Sequence, residues 1–188
     1  MYFNKYYFKK FYLFTTELTE HNKKKIIKLK NLSVVIDEIV DNKNIEKILD
    51  IINFCRKNKI KIYLKNQLNL SIKLNLNGIL ITGDMKNHLI SRNIYNNKQK
   101  FEILGIAHSH YEYFIKKKQN CYNIFLSPIF FNKKYTHNKI LGISKFNLIS
   151  KNWNCNLIAL GGINYSNIQK ILLTKSQGIG FKNFINDL

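Results

Sequence analysis

Short apolar runs recur along this chain, and each is separated from the next by a stretch of helical spacing or a polar loop. The runs are Phe11–Thr15 (FYLFT), Leu32–Ile36 (LSVVI), Ile60–Leu64 (IKIYL), Gly78–Ile81 (GILI), Phe101–Ala107, Asn123–Leu126 (NIFL), Asn156–Leu160 (NLIAL) and Gly178–Phe181 (GIGF). Their length and β-branched content read as buried strands. Between them, Asn44–Asn58 carries Ile45, Ile48, Leu49, Ile52 and Phe54 near helical spacing, with Asn44 as the cap. Leu68–Leu74, His110–Lys118 and Ser144–Ser150 read as further helices, and Ser166 is expected to cap one that runs to Leu173. Strict alternation of strand and helix predicts a parallel sheet. Eight such units predict a closed (β/α)8 TIM barrel. At 188 residues the barrel must be compact, with shortened helices, because the fold rarely drops below about 200 residues. The periodicity is poorest between Met85 and Lys100, and a doubly wound open sheet is the alternative.

The chain holds one proline, Pro128, and no Gly/Ser-rich linker, so a single domain over residues 1–188 is expected. With 45% hydrophobic and 13% aromatic residues, a disordered chain is excluded. No apolar run reaches the roughly 18 residues of a membrane span. The opening MYFNKYYFKKFYLF is aromatic and basic and lacks a signal-peptide core and cleavage site, so a cytoplasmic location is expected. Cys55, Cys121 and Cys155 have no metal-ligand spacing and read as ordinary thiols. The formal charge of +20 invites a nucleic-acid partner. Against that, only Arg56 and Arg92 are arginines, and the lysines are spread along the chain as solvated faces. A nucleic-acid-binding domain is therefore the weakest of the functional readings, and small anionic ligands suit the charge better.

In a barrel of this kind chemistry sits at the C-terminal ends of the strands, with phosphate after strands seven and eight. Strand seven runs into Gly161-Gly162, where backbone N–H groups can approach an anion, and the following helix is expected to assist. Strand eight runs into Lys182 and Asn183. After strand six, a loop opened by Pro128 carries Lys133, Lys134, His137 and Lys139. Asp37 and Glu38 follow strand two, Asp84 follows strand four, and His108-Ser109-His110 closes strand five. The carboxylates suit either acid–base work or helix capping. The five histidines form no triad of the kind zinc requires.

Taken together, these segments resemble the thiamine phosphate synthase/TenI family. The carriers are Phe11–Thr15 as opening strand, Asn77-Gly78-Ile79 for "ADGVH", and Ala107-His108-Ser109 for the "GxSxH" region. Leu126–Phe130 stands for "GPIF", Leu141-Gly142 for the glycine ahead of helix six, Ala159–Ile163 for "AIGGI" and the final GIGF for "GVAV". The match is best over residues 60–185. The resemblance implies a (β/α)8 barrel that joins hydroxymethylpyrimidine diphosphate to a thiazole phosphate, releasing pyrophosphate. It implies Gly161, Gly162, Lys182 and Asn183 around the thiazole phosphate. Lys65, His108 and Ser109 would meet substrate, and Lys133 and Lys134 would be catalytic at the diphosphate. Mg²⁺ would lie near Asn66 and Asp84. Several family positions differ. The basic "QLRxK" falls on Val35–Ile39, the "ND" aspartate on Asn66, the "PTxTK" loop on Phe131–Lys134, and the TenI-type histidine on Pro128. A TenI-like protein that binds a phosphorylated thiamine precursor without the synthase reaction is the alternative.

Overall fold

The computed structural model describes residues 8–85, 101–132 and 139–182. It is a closed parallel barrel of eight strands in sequence order, β1 pairing with both β2 and β8. The strands are β1 (Lys10–Thr15), β2 (Leu32–Ile36), β3 (Lys61–Lys65), β4 (Gly78–Ile81), β5 (Glu102–Ala107), β6 (Asn123–Leu126), β7 (Asn156–Leu160) and β8 (Gly178–Phe181). The described helices are α1 (Glu20–Ile26), α2 (Ile45–Lys57), α3 (Leu68–Lys73), α4 (His110–Lys118) and α5 (Gly142–Ser150), with a 3-10 helix at Ile168–Leu173. They are short, none exceeding 13 residues. Closure settles the barrel against the open sheet. Among the described residues no helix is long and apolar enough to cross a membrane.

The two-residue period of a strand explains the core. Tyr12, Phe14, Val35, Tyr63, Leu80, Leu104, Phe125 and Ile158 form the cluster inside the barrel. Phe125 meets Tyr12 and Phe14 edge to face at 4.9 and 5.4 Å. Alternate residues such as Leu13, Val34, Ile62 and Ile179 pack outward against Ile26, Ile48, Ile52, Phe146 and Ile171. Each fully buried side chain of this size contributes roughly 2–3 kcal/mol. The same period, continued beyond the apolar middle, leaves polar residues at both ends. Lys10, Lys61, Glu102, Asn123 and Asn156 meet at the N-terminal floor. Asp37, Lys65 and Lys182 meet at the C-terminal mouth.

Three local expectations are corrected. On α2 the buried face is Ile48, Ile51, Ile52 and Cys55, while Leu49 is exposed and Phe54 only half-buried. Asn44 stands at the cap position of α2 but makes no side-chain cap bond, because its amide bonds Asp41 N–H and the Ile39 carbonyl. After β7 the expected α-helix is a six-residue 3-10 helix with Asn167, not Ser166, at its cap position. Ser166 is spent instead on Asn164 Oδ1, which accepts both its N–H and its hydroxyl. Helix α1 was not foreseen. Thr19 caps it through Asn22 N–H, but only Ile26 of its seven residues is buried, so no apolar stripe marks it.

Candidate active site at the barrel mouth

Gly161 and Gly162 leave β7 with φ of +96° and +69°, a left-handed region that other residues enter at a cost. The chain after β6 runs alongside them, with Ile129 N–H donating to the Leu160 carbonyl and Phe130 N–H to the Gly161 carbonyl. A Cβ on Gly162 would stand 2.3 Å from the Phe131 carbonyl oxygen and 2.5 Å from that of Phe130. The second glycine is therefore fixed by the close approach of the β6 loop. Neither glycine N–H is taken by another described backbone group, so both can serve an anion. The expected assistance from a helix N-terminus is absent: the next helix is the short 3-10 turn, begun six residues after Gly162.

Across the mouth Asp37, one residue past β2, accepts from Lys65 Nζ at 2.8 Å and faces Lys182 Nζ at 3.6 Å. One carboxylate thus links the ends of β2, β3 and β8. Both Asp37 contacts keep partial access to water, and such pairs are weak. The two ammonium groups are held in place yet can be drawn off by a stronger anion.

At the ends of β3 and β4, Asn66 and Thr82 are tied together. Thr82 N–H donates to Asn66 Oδ1 at 3.0 Å, and Asn66 Nδ2 donates to Thr82 Oγ1 at 2.6 Å. Asp84 is exposed, and hydrogen bonds from the Thr82 hydroxyl and its own backbone N–H hold its carboxyl below the usual range. Beneath this exit lies Lys116 of α4, fully buried. Its ammonium donates to the carbonyls of Thr82 and Met85 at 2.6 and 2.9 Å and to Gln119 Oε1 at 3.0 Å. Burial lowers its pKa.

His108 Nδ1 lies 2.7 Å from the Ser127 carbonyl, a contact that places the proton on Nδ1. Its backbone N–H donates to Glu112 Oε2 at 2.9 Å. Ser109 caps α4, accepting from Glu112 N–H at 3.2 Å. The pair resembles a capping box shifted by one residue, since Glu112 holds the N–H of His108 rather than that of the cap Ser109, and it stiffens the exit of β5.

The structure brings Lys65, Asn66, Asp84, His108, Ser109, Gly161, Gly162 and Lys182 to one rim, each at or just past a strand end. Lys65 and Lys182 converge on Asp37, while Ser109 serves its own helix. Lys133, Lys134, His137 and Asn183 lie outside the described residues. Sequence reasoning missed Thr82, Glu112 and Lys116. Thr82 and Glu112 had signals, by period two from Leu80 and by capping-box spacing from Ser109, but nothing in the run Lys116-Lys117-Lys118 marks its first lysine as the buried one. As a metal centre the mouth fits poorly. Asn66 Oδ1 is engaged by Thr82, and among the described residues no three His, Cys, Asp or Glu side chains cluster to hold an ion.

A barrel with paired glycines after β7 and lysines on the rim has a family counterpart. The family model for thiamine monophosphate synthase (TMP-TENI) matches residues 18–183. The chain belongs to this family. Among solved structures, a thiamine phosphate pyrophosphorylase from Pyrococcus furiosus superposes with a TM-score of 0.73 and 14% identity, over 95% of this chain and 90% of that one. One from Bacteroides thetaiotaomicron gives 0.56 and 18%, over 95% and 85%. A structure named as native KDPGal gives 0.65 at 9% identity, over 91% and 81%. At these identities the likenesses speak for the fold. A comparison with curated protein sequences finds no match. Within the thiamine monophosphate synthase family, this chain places an aspartate, Asp37, where its resemblance to the family leads one to expect a basic stretch.

Proposed function

We propose that this protein is a divergent thiamine phosphate synthase of the cytoplasm, joining hydroxymethylpyrimidine diphosphate to thiazole phosphate. In that reaction the bond from the pyrimidine methylene carbon to the diphosphate oxygen breaks and its electron pair leaves with pyrophosphate. The thiazole nitrogen supplies the pair for the new carbon–nitrogen bond. The observation that carries the proposal is the open pair of glycine amides at Gly161 and Gly162, beside the β8 exit with Lys182, in a member of this family. The two amides and Lys182 would hold the thiazole phosphate, with Asn183 next in the chain. Lys65, released from Asp37 when the diphosphate arrives, would meet the developing negative charge, together with Lys133 and Lys134 of the β6 loop. Neutralising that charge is the main electrostatic demand of the step. Lysines do so as point charges, without the fork of arginine. His108 and Ser109 would border the pyrimidine. Any Mg²⁺ would enter with the diphosphate and find Asp84 on the rim. No step is assigned to it.

The bonds already spent on Asn66 and Lys65 favour a second function, a TenI-like protein that binds a phosphorylated thiamine precursor without turnover. One experiment separates the two. Purified protein is mixed with both substrates, with Mg²⁺ or with a chelator, and thiamine phosphate is followed. Product that disappears in Gly162→Asp and in Lys134→Ala supports the synthase. Binding of thiamine phosphate without product supports the TenI-like function. Neither product nor binding overturns both.

A further inference from the structure

The opposite end of the barrel holds a cavity of about 500 Å³ that the synthase reaction does not use. It lies where β1, β2, β3 and β5 begin, and is walled on one side by Ile26, Ile27, Leu29 and Ile60. That volume is in the usual range for small-molecule sites. Its charge is unbalanced. Lys9, Lys10, Lys59 and Lys61 line it against one carboxylate, Glu102. Glu102 is already engaged, by Lys61 Nζ and by the Tyr63 hydroxyl at 2.8 Å. Burial works against its ionisation, but the hydrogen bonds from Lys61 and Tyr63 outweigh it and hold its pKa down. Among the described residues Lys10 Nζ reaches a neutral partner, Asn123 Oδ1 at 2.7 Å, and burial lowers its pKa.

A second, independent feature points to a ligand. Tyr12 lines this cavity and is only 2% exposed. Its ring is fixed edge to face on Phe125, and among the described residues its hydroxyl has no hydrogen-bond partner. An anionic acceptor in the cavity would accept a hydrogen bond from the hydroxyl, face Lys10, and leave its apolar part against the isoleucines.

We propose that the barrel floor is a binding site for a small molecule with an oxyanion head, phosphate or carboxylate, on an apolar body. The site is separate from the mouth and does not depend on the function proposed for it. Phenyl phosphate is the probe, titrated calorimetrically into the full chain at fixed ionic strength, with benzoate and inorganic phosphate in parallel. Saturable binding is expected that weakens about tenfold or more in Lys10→Met and about threefold in Tyr12→Phe, and is unmoved by Lys182→Ala. Benzoate binding more tightly than phenyl phosphate would identify the head as carboxylate, and benzoate binding more weakly would identify it as phosphate. If the mouth also takes the probe, a second class of sites disappears in Lys182→Ala alone, so failure of one end is told apart from failure of the other. Tyr12→Phe removes an unpartnered hydroxyl, so its thermal midpoint should not fall. This variant keeps the test valid should Lys10→Met fold poorly. Binding lost only in Lys182→Ala, no saturable binding at all, or a lowered midpoint in Tyr12→Phe with unchanged binding would each overturn the proposal.

Discussion

The two ends of the barrel are built from the same alternation of inward-facing residues but are finished differently. At the mouth several described polar side chains are tied in pairs, Asp37 with Lys65 and Lys182, Asn66 with Thr82, Ser109 with Glu112 and His108 with the Ser127 carbonyl, while Glu38 keeps a buried carboxylate oxygen without a hydrogen-bond partner among the described residues. At the floor four lysines face one glutamate around a void that Tyr12 also lines. Barrel floors ordinarily serve stability and mouths serve chemistry. Here an unpartnered carboxylate oxygen, on Glu38, lies at the mouth, and the excess of lysines lies at the floor. Position on the fold therefore does not by itself say which end holds unspent binding capacity. The inventory of partners does.

The largest test of this contrast is Lys116→Met. If the mouth is held by satisfied bonds, removing the buried ammonium strands the Thr82 and Gln119 oxygens and loosens the β4 exit. A loss of about 2–4 kcal/mol is expected in chemical denaturation. An unchanged midpoint would mean that the exit does not rely on this lysine.

Next in size is the alkaline limb of the stability curve. Burial pushes the Cys55 and Cys121 thiols up from 9.0 to about 12. Above pH 9 the unfolded thiols ionise and the folded ones do not, so the unfolded state binds fewer protons and stability falls as pH rises. Between pH 9 and 10 the pair should cost about 2 kcal/mol, on the rule that one pKa unit is 1.36 kcal/mol. Cys55→Ala with Cys121→Ala should flatten this limb even though the cavities lower its height. Tyr12 and Tyr63, raised chiefly by burial, add to the slope only above about pH 10. A slope that is the same with and without the thiols would contradict this assignment.

Smaller again is Asp37→Asn, which frees Lys65 and Lys182 together. Pyrophosphate measured by calorimetry should bind about fivefold more tightly, matching the roughly 1 kcal/mol of a partly exposed pair. Weaker binding would show that Asp37 positions the lysines rather than occupying them.

How far the sequence carried follows from what each signal encodes. Eight apolar runs were enough to place every strand within one residue, because burial on both faces leaves a continuous run. Helix α1 was invisible, since a helix that buries one isoleucine needs no stripe. Gly161-Gly162 was legible as a turn, but the reason for the second glycine, the carbonyls of Phe130 and Phe131, is a contact between loops more than 30 residues apart. The charges at the mouth could be placed on strand ends by counting. Their pairing could not, because Asp37 meets Lys65 only through the β2–β3 register and Lys182 only through closure of the barrel. The floor cavity was missed for the same reason: Tyr12 sits in a run that reads as pure core.

Ser109→Ala gives the smallest effect and the sharpest division between structure and binding at the mouth. Ser109 can be a substrate contact, as the family resemblance implies, or the cap that its bond to Glu112 N–H makes it. A lost serine cap costs about 1 kcal/mol. Glu112 would still hold His108 N–H, so the exit of β5 keeps one of its two ties and the barrel stays folded. Ser109→Ala should therefore lower stability by about 0.5–1 kcal/mol and leave thiamine phosphate binding within twofold of the parent. Ser109→Asp, which caps helices equally well, should restore the stability. A drop in thiamine phosphate affinity that the aspartate deepens, with stability restored, would instead place Ser109 against the phosphate-bearing substrate, since a new negative charge repels an anion whether or not the helix is capped.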